Sequence, residues 1–157
     1  MANIEHKNIT DAERHEPKGA STATIDQVYA SDGAGSGTWR EVPSQDTVTM
    51  ADVSNPSFIL IPITATGVTI QSIRFVLYNA ITGADSTVTV TRGGDGLSLG
   101  TKVIAFTASA EGTTFDLTTG SNNTLLAATH KYLKIATDGA SSTTSQMAVT
   151  VKYKVTA

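Results

Sequence analysis

The sequence has 157 residues, enough for one ordinary domain with a short appendage, and a formal net charge of −3. It contains no cysteine, which excludes disulfides, thiolate metal sites and cysteine nucleophiles. A weakly negative chain offers no broad attraction for phosphate backbones, so we expect no nucleic-acid partner. The first residues lack the apolar core of a signal peptide, and no apolar run is long enough to span a bilayer. We therefore expect synthesis in the cytoplasm and no membrane partner.

The N-terminal region differs in composition from the rest of the chain. Residues 1–46 hold 12 of the 25 charged residues and few apolar ones, so they cannot build much of a core alone. A polar segment of this kind becomes ordered when a partner surface supplies apolar contacts. Residues 30–37 are small and glycine-rich, which is typical of a loop because glycine permits positive φ. We predict that residues 1–46 form an extended N-terminal arm.

From Thr47 the composition changes to threonine, valine and isoleucine, separated by glycine-marked turns. β-branched residues pack well on pleated sheets, so this part is predicted to consist of strands. The clearest strand lies at 149–155, where apolar residues alternate with threonine and lysine. A similar pattern predicts strands at 88–91 and 131–137. Two further apolar pairs with this spacing are Ile104 with Phe106 and Phe115 with Leu117.

The alternation breaks within residues 68–78. Apolar residues follow one parity up to Ile70 and the other parity from Ile73. A regular strand cannot place both sets on one face, whereas one extra residue resets the alternation. We therefore predict a bulge or bend near Gln71 and Ser72.

Residues 58–63 are apolar at both parities. This indicates either a strand covered on both faces or a strand at a subunit interface. Pro62 lacks an amide hydrogen and so favours an edge strand or a strand end. The predicted oligomer interface consists of Phe58, Ile59, Leu60 and Ile61.

Together these segments predict seven or eight short strands separated by turns. That pattern is typical of an antiparallel β-sandwich or jelly roll. The predicted fold class is therefore all-β, with a β-sandwich domain at residues 47–157 that follows the N-terminal arm.

A search for catalytic chemistry finds weak signals only. His6, His15 and His130 do not have the spacing of metal ligands, and we predict His130 to be a loop residue beside Lys131. No Gly-x-Ser-x-Gly nucleophile motif occurs. We therefore predict no metal, no cofactor and no enzymatic activity.

The carboxylates of the β-rich part lie mostly in predicted turns. Asp85, Asp95 and Asp138 are near glycines, and Asp-Gly turns are common, so structural turns are the favoured interpretation. Weak calcium binding through loop oxygens is the alternative, although no EF-hand pattern is present.

The string His15-Glu-Pro-Lys-Gly19, followed by Gln-Val-Tyr-Ala-Ser-Asp-Gly-Ala-Gly-Ser-Gly-Thr-Trp at 27–39, resembles the N-terminal region of tailed-bacteriophage head-fibre and capsid-decoration proteins. The resemblance implies a modular, non-enzymatic virion protein that attaches to the major capsid protein at its front end. It implies a location on the capsid exterior, with the β domain displayed outward. By analogy with decoration proteins at local threefold positions, it also implies a homotrimer. The capsid-binding residues that it implies are His15, Glu16, Pro17, Lys18, Gly19, Tyr29 and Trp39.

A second hypothesis makes the protein a carbohydrate-binding module or tail-tip adhesin that contacts host-surface glycans through its turns. Trp39, the only tryptophan, could stack on a sugar ring or anchor the chain in a partner groove. Aromatic residues are sparse in the β-rich part, and most occur at predicted core parity, which weakens the glycan hypothesis.

Overall fold

The computed structural model describes residues 27–31, 37–41, 43–65 and 67–156 of the chain. The chain divides into two compact units, Met1–Val42 and Pro43–Ala157. The described part of the first unit is an antiparallel hairpin of β1 (Gln27–Ser31) and β2 (Gly37–Glu41). The predicted glycine-rich loop links these strands, and its residues 32–36 lie outside the described ranges. Two strands thus occur within the segment that was expected to be an extended arm.

The regular secondary structure of the second unit consists almost entirely of strands. They are β3 (Ser44–Met50), β4 (Ser57–Pro62), β5 (Gly67–Leu77), β6 (Ser86–Arg92), β7 (Ser98–Ile104), β8 (Thr114–Thr118), β9 (Thr124–Leu126), β10 (Tyr132–Thr137) and β11 (Met147–Thr156). The described helical segments are a short 3-10 turn, Phe106–Ala108, and a four-residue helix, α1 (Ala127–His130).

The nine strands of this unit form two antiparallel sheets. One has the order β3-β11-β5-β8, with β9 also pairing β5, and the other has the order β4-β10-β6-β7. We name them the β5–β11 sheet and the β6–β10 sheet after their central strands. If the three-residue β9 is left out and the other eight strands of this unit are numbered 1 to 8 along the chain, the first sheet has the spatial order 1-8-3-6. The second sheet then has the order 2-7-4-5. This is the strand order of a jelly roll. The predicted all-β sandwich or jelly roll is confirmed.

The strand directions give the jelly roll two distinct ends. At one end β3 begins and β11 ends, and the loops at 63–65 and 93–97 lie together with the segment 119–131 that contains β9 and α1. We call this the entry end, because the chain enters the jelly roll there. The opposite end, which we call the far end, carries the four loops between β3 and β4, β5 and β6, β7 and β8, and β10 and β11.

One apolar core lies between the two sheets. Both sheets contribute side chains at alternate positions, as a pleated strand requires. In β11, Val149 and Val151 are buried, which confirms the predicted alternation. The largest fully buried side chains are Phe75, Met50, Ile70, Ile73, Leu77, Ile81, Ile104, Leu125, Leu133, Ile135, Met147 and Val53.

The change of parity in β5 is accommodated by a bulge. Ser72 pairs with Lys152 and Ile70 pairs with Tyr153, so Gln71 is the extra residue between two consecutive residues of β11. Ile70 and Ile73 consequently both face the core. The predicted bulge near Gln71 and Ser72 is confirmed.

Two predicted strand segments have different bounds in the structure. β7 ends at Ile104, and Phe106 begins the 3-10 turn, where its amide donates to the Asp85 carboxylate at 3.0 Å. Phe106 is therefore 39% exposed and does not repeat the inward position of Ile104. Lys131 has a positive φ of 57°, so β10 begins one residue later, at Tyr132.

Polar side chains are also buried near the far end. The hydroxyls of Ser86 and Thr137 are 2.8 Å apart, and both lie within hydrogen-bond distance of the Val53 carbonyl oxygen. Ser86 is completely buried, so this network provides the partners that a buried hydroxyl requires. It ties the loop after β3 to β6 and β10.

Candidate docking surfaces

The hairpin of the first unit brings together the two aromatic residues that were predicted as anchors. Tyr29 and Trp39 are directly opposite in the register of β1 and β2. Their ring centroids are 5.5 Å apart at 68°, an edge-to-face arrangement that stabilises aromatic pairs. Both side chains are half-buried. The pair is a compact apolar feature with a hydroxyl and an indole N–H, the chemistry that is enriched in protein interfaces.

Gly37 provides the space for this pair. A Cβ atom at Gly37 would lie 2.8 Å from the Tyr29 ring, closer than side-chain carbons pack. The absence of a side chain at this position therefore allows the Tyr29 ring to lie against the Gly37 backbone. The other five predicted capsid-binding residues, His15, Glu16, Pro17, Lys18 and Gly19, lie outside the described residues.

Strand β4 divides the predicted oligomer interface between two faces. Ile59 and Ile61 point inward and pack in the core. Phe58 and Leu60 point outward, with 59% and 48% of their surfaces exposed. The apolar residues at both parities therefore serve two purposes: one set completes the core, and the other forms an exposed apolar strip with Pro62.

β4 is an edge strand, as Pro62 predicted. Among the described strands it pairs only with β10. Just beyond the strand, the Ile63 amide donates to the Lys131 carbonyl at 2.8 Å. Backbone groups of successive residues in a strand point to alternate sides. Because the Ile63 amide bonds to the β10 side, the backbone N–H and C=O groups of the odd-numbered residues of β4 face β10, and those of the even-numbered residues face the free edge. Pro62 thus occupies a position where no amide hydrogen is needed.

A cation adjoins the apolar strip. Lys134 is the cross-strand neighbour of Leu60, and its ammonium lies 4.8 Å from the centroid of the Phe58 ring. This is cation–π geometry. The strip therefore combines two exposed apolar side chains with one positive charge.

An apolar crevice opens at the entry end, next to this strip. Its volume is about 80 Å³, and most of its lining comes from core strands of both sheets. One carboxylate, Asp46, lies among the lining groups. Asp46 is directly opposite Val151 in the register of β3 and β11, at a position that would be apolar in a closed core. The apolar lining residues are Ile61, Pro62, Ile63, Ala65, Val68, Ile70, Leu133, Val151, Tyr153 and Val155.

The outer face of the β5–β11 sheet has a different composition. Arg74 and Asp116 form a two-bond ion pair across β5 and β8, with distances of 2.8 and 2.9 Å. The Arg74 hydrogen bond lowers the pKa of Asp116 below its usual value. Thr47 and Thr150 are neighbours on the same face, with their hydroxyls 3.0 Å apart. This face is hydrophilic.

A charged cluster at the entry end was not predicted from the sequence. Arg92 donates to both carboxylate oxygens of Asp95 at 2.9 and 3.0 Å, and this hydrogen bonding lowers the pKa of Asp95 to about 2. His130 is the last residue of α1 and is buried, and its Nδ1 accepts the Leu126 amide hydrogen at 2.8 Å. Its Nε2 lies 3.6 Å from Asp95. The expectation of a loop histidine was therefore wrong.

The signal for this cluster was the pair of glycines after Arg92. Gly94 has a φ of +82°, and a Cβ there would collide with the Thr129 carbonyl oxygen. The loop after β6 thus packs closely on the segment that holds His130, which sequence spacing alone does not reveal.

The aspartates predicted in turns accept hydrogen bonds from backbone amides, within their own turns and from other parts of the chain. Asp85 accepts the Phe106 amide, Asp95 accepts the Leu97 amide, and Asp138 accepts the amides of Thr87 and Ala140. Within the described ranges no three metal-ligating side chains lie together. No helix in this part of the chain is long and apolar enough to cross a membrane.

Comparison with known proteins gives distant structural likenesses. No protein-family model and no curated protein matches the sequence. A chain of the cyanophage Pam1 capsid asymmetric unit is similar with 15% identity over 73% of this chain and 84% of that chain, at a TM-score of 0.40. A chain of Bacillus endospore appendages, a family of disulfide-linked pili, has 15% identity over 73% and 88%, at 0.35. Infectious bursal disease virus strain Gx gives 16% identity over 76% and 36%, at 0.29. At these scores the likenesses carry no conclusion about function.

Proposed function

We propose that this chain is a non-enzymatic structural protein of a tailed-phage particle that decorates the head. Its N-terminal region, residues 1–46, binds the major capsid protein, and the jelly roll is displayed on the capsid exterior. The protein acts as a homotrimer in which the β4 strip contributes to the subunit contact. Its function is to reinforce the shell or to present the jelly roll to the outside.

The observation that carries this proposal is the Tyr29–Trp39 pair. The sequence nominated both residues as anchors because they lie in the string that resembles head-fibre proteins. They are paired across one hairpin, with ring centroids 5.5 Å apart, and belong to a unit separate from the jelly roll. An aromatic pair that is already in contact loses little side-chain freedom on binding, which favours its use as an anchor.

The jelly roll supports a display role. Its core is formed by residues of its own two sheets and their connecting loops. Its turn aspartates hold loop amides, and Asp116 is held by Arg74. Such engaged carboxylates are suited to rigid loops rather than to acid–base chemistry.

The test is co-sedimentation of the full chain with undecorated capsids. We expect Trp39→Ala to weaken capsid binding about thirtyfold or more, the effect of removing a hot spot of about 2 kcal/mol. Phe106→Ala is the matched control, because it removes an exposed aromatic side chain from the jelly roll. Equal pelleting of Trp39→Ala and the unmodified chain would eliminate Trp39 as an anchor, and failure of the unmodified chain to pellet would eliminate head decoration.

A second candidate function is glycan binding by a carbohydrate-binding module or tail-tip adhesin. It is favoured by Tyr78 and Phe106, which are exposed by 42% and 39% in loops at the far end. Exposed aromatic rings provide stacking surfaces for sugars. A glycan array probed with the full chain and with Tyr78→Ala tests this. Signals that disappear in the variant support glycan binding, and an array without signals contradicts it.

A further inference from the structure

The apolar strip of β4 and the crevice beside it differ in shape and in charge. The strip has two outward knobs, Phe58 and Leu60, and a cation, Lys134. The crevice is a concave apolar site whose lining includes the Asp46 carboxylate. A knob with a positive neighbour and a hollow with a negative neighbour are complementary.

We propose that Leu60 of one copy inserts into the crevice of a second copy, where Lys134 of the first copy pairs with Asp46 of the second. This inference rests on the self-association included in the proposed function and names the contact that produces it. In the proposed homotrimer this knob-to-hollow contact is heterologous, and a rotation of one third of a turn between copies closes it into a ring.

Size selects Leu60 as the inserted side chain. The crevice has a volume of about 80 Å³. A cavity of about 150 Å³ accommodates a benzene ring, so a space half as large suits a four-carbon side chain better than a phenyl ring. Phe58 is in addition covered on one side by the Lys134 ammonium. Leu60 is therefore the better fit of the two exposed residues.

Charge selects a second copy as the partner. Lys134 is directly opposite Leu60 in the register of β4 and β10, so it accompanies Leu60 to any surface on which Leu60 docks. Within the described residues Asp46 has no ion-pair partner. The crevice that fits Leu60 thus offers the opposite charge, and both features belong to the same chain.

The first experiment is cross-linking between two variants of the full chain. The native sequence has no cysteine, so Leu60→Cys and Ala65→Cys each introduce a unique thiol, the first on the knob and the second in the crevice. Under mild oxidation we expect a disulfide-linked species when the two variants are mixed. Efficient linking of Leu60→Cys to itself, or no linking in the mixture above that of either variant alone, would overturn the proposal.

The second experiment is a charge exchange, followed by sedimentation velocity. Asp46→Lys and Lys134→Asp each place like charges at the contact and should dissociate the oligomer. The double variant restores opposite charges and should reassemble. If the double variant stays dissociated, or if the unmodified chain is a monomer at all concentrations, Asp46 and Lys134 do not meet between copies and the proposal is wrong.

Leucine truncation provides the matched control. We expect Leu60→Ala to weaken self-association about thirtyfold or more, as for an interface hot spot. Leu97→Ala should leave it unchanged, since Leu97 is similarly exposed, at 45%, but lies in the loop between β6 and β7. Equal effects of the two substitutions would contradict a specific role for Leu60.

Capsid co-sedimentation of the same samples separates this inference from the proposed function. If the unmodified chain pellets with capsids and the cross-linking and charge exchange fail, the inference is wrong and head decoration stands. If self-association follows the predicted pattern and no sample pellets with capsids, head decoration is wrong and the contact stands.

Discussion

The two outer faces of the jelly roll differ although both sheets share one core. The face of the β5–β11 sheet carries the Arg74–Asp116 ion pair and the Thr47–Thr150 contact. The edge of the β6–β10 sheet exposes Phe58 and Leu60. Burial of the inward residues stabilises the fold on both sides, whereas the outward residues are free to vary with function. The apolar strip is therefore informative about partners in a way that the core is not.

The strongest test of this contrast replaces one phenylalanine in each environment. Phe75→Ala should lower the free energy of unfolding by about 3–5 kcal/mol, since Phe75 is completely buried and its removal leaves a cavity. Phe58→Ala should change it by less than about 1 kcal/mol, because the ring is exposed and contacts Lys134. Urea denaturation at low protein concentration measures both. A large effect of Phe58→Ala in the monomer would show that the strip belongs to the core.

A smaller effect is expected from the buried polar network near the far end. Ser86→Ala removes a hydroxyl that contacts Thr137 and the Val53 carbonyl, and should lower the free energy of unfolding by about 1 kcal/mol. Thr82→Ala is the control, because its hydroxyl lies on an exposed part of the same end. Equal effects of the two substitutions would show that burial of the network adds nothing.

The charged cluster at the entry end predicts a pH dependence. The pKa of Asp95 is lowered from its ordinary value of 3.8 to about 2 by its hydrogen bonds from Arg92. Its contribution to stability is therefore present above the unfolded pKa and is lost as the pH falls through the folded pKa. The difference in thermal midpoint between the unmodified chain and Asp95→Asn should be constant above pH about 5, should fall as the pH decreases, and should vanish only near pH about 1, below both pKa values. A difference that persists at the lowest pH would contradict this assignment.

The smallest effect is expected on the hydrophilic face. Arg74→Ala breaks an exposed ion pair, and such pairs stabilise folded proteins weakly and less at high salt. We expect a slight loss of stability at low ionic strength that disappears in concentrated salt. If the loss is instead independent of salt, the aliphatic part of Arg74 contributes by packing on the sheet.

Several features of the fold followed from local pattern. The alternation in β11 predicted its buried valines, and the change of parity in β5 located Gln71 as the extra residue, because both depend only on which face a side chain occupies. Phe106 departed from the pattern because its amide bonds to Asp85 from another loop. A contact between residues that are distant in the sequence cannot be inferred from spacing.

The candidate sites, like the fold, could be predicted from the sequence only in part. Tyr29 and Trp39 were nominated individually, and the hairpin register brought them together. Phe58 to Ile61 were nominated as one interface, and strand geometry divided them between core and surface. The crevice with Asp46 had no sequence signal, and the cluster with His130 had only the glycines after Arg92, because each is assembled from separate strands or loops.

By itself the sequence determined that the chain is all-β and that its N-terminal part differs in composition. It also located several strands, the bulge in β5 and the edge position of Pro62. Each of these features depends on residues that are close together in the sequence. Only the tertiary structure decided the jelly-roll order, the exposed side of β4 and the crevice beside it. These depend on which strands become neighbours, and that outcome depends on the burial of one shared core.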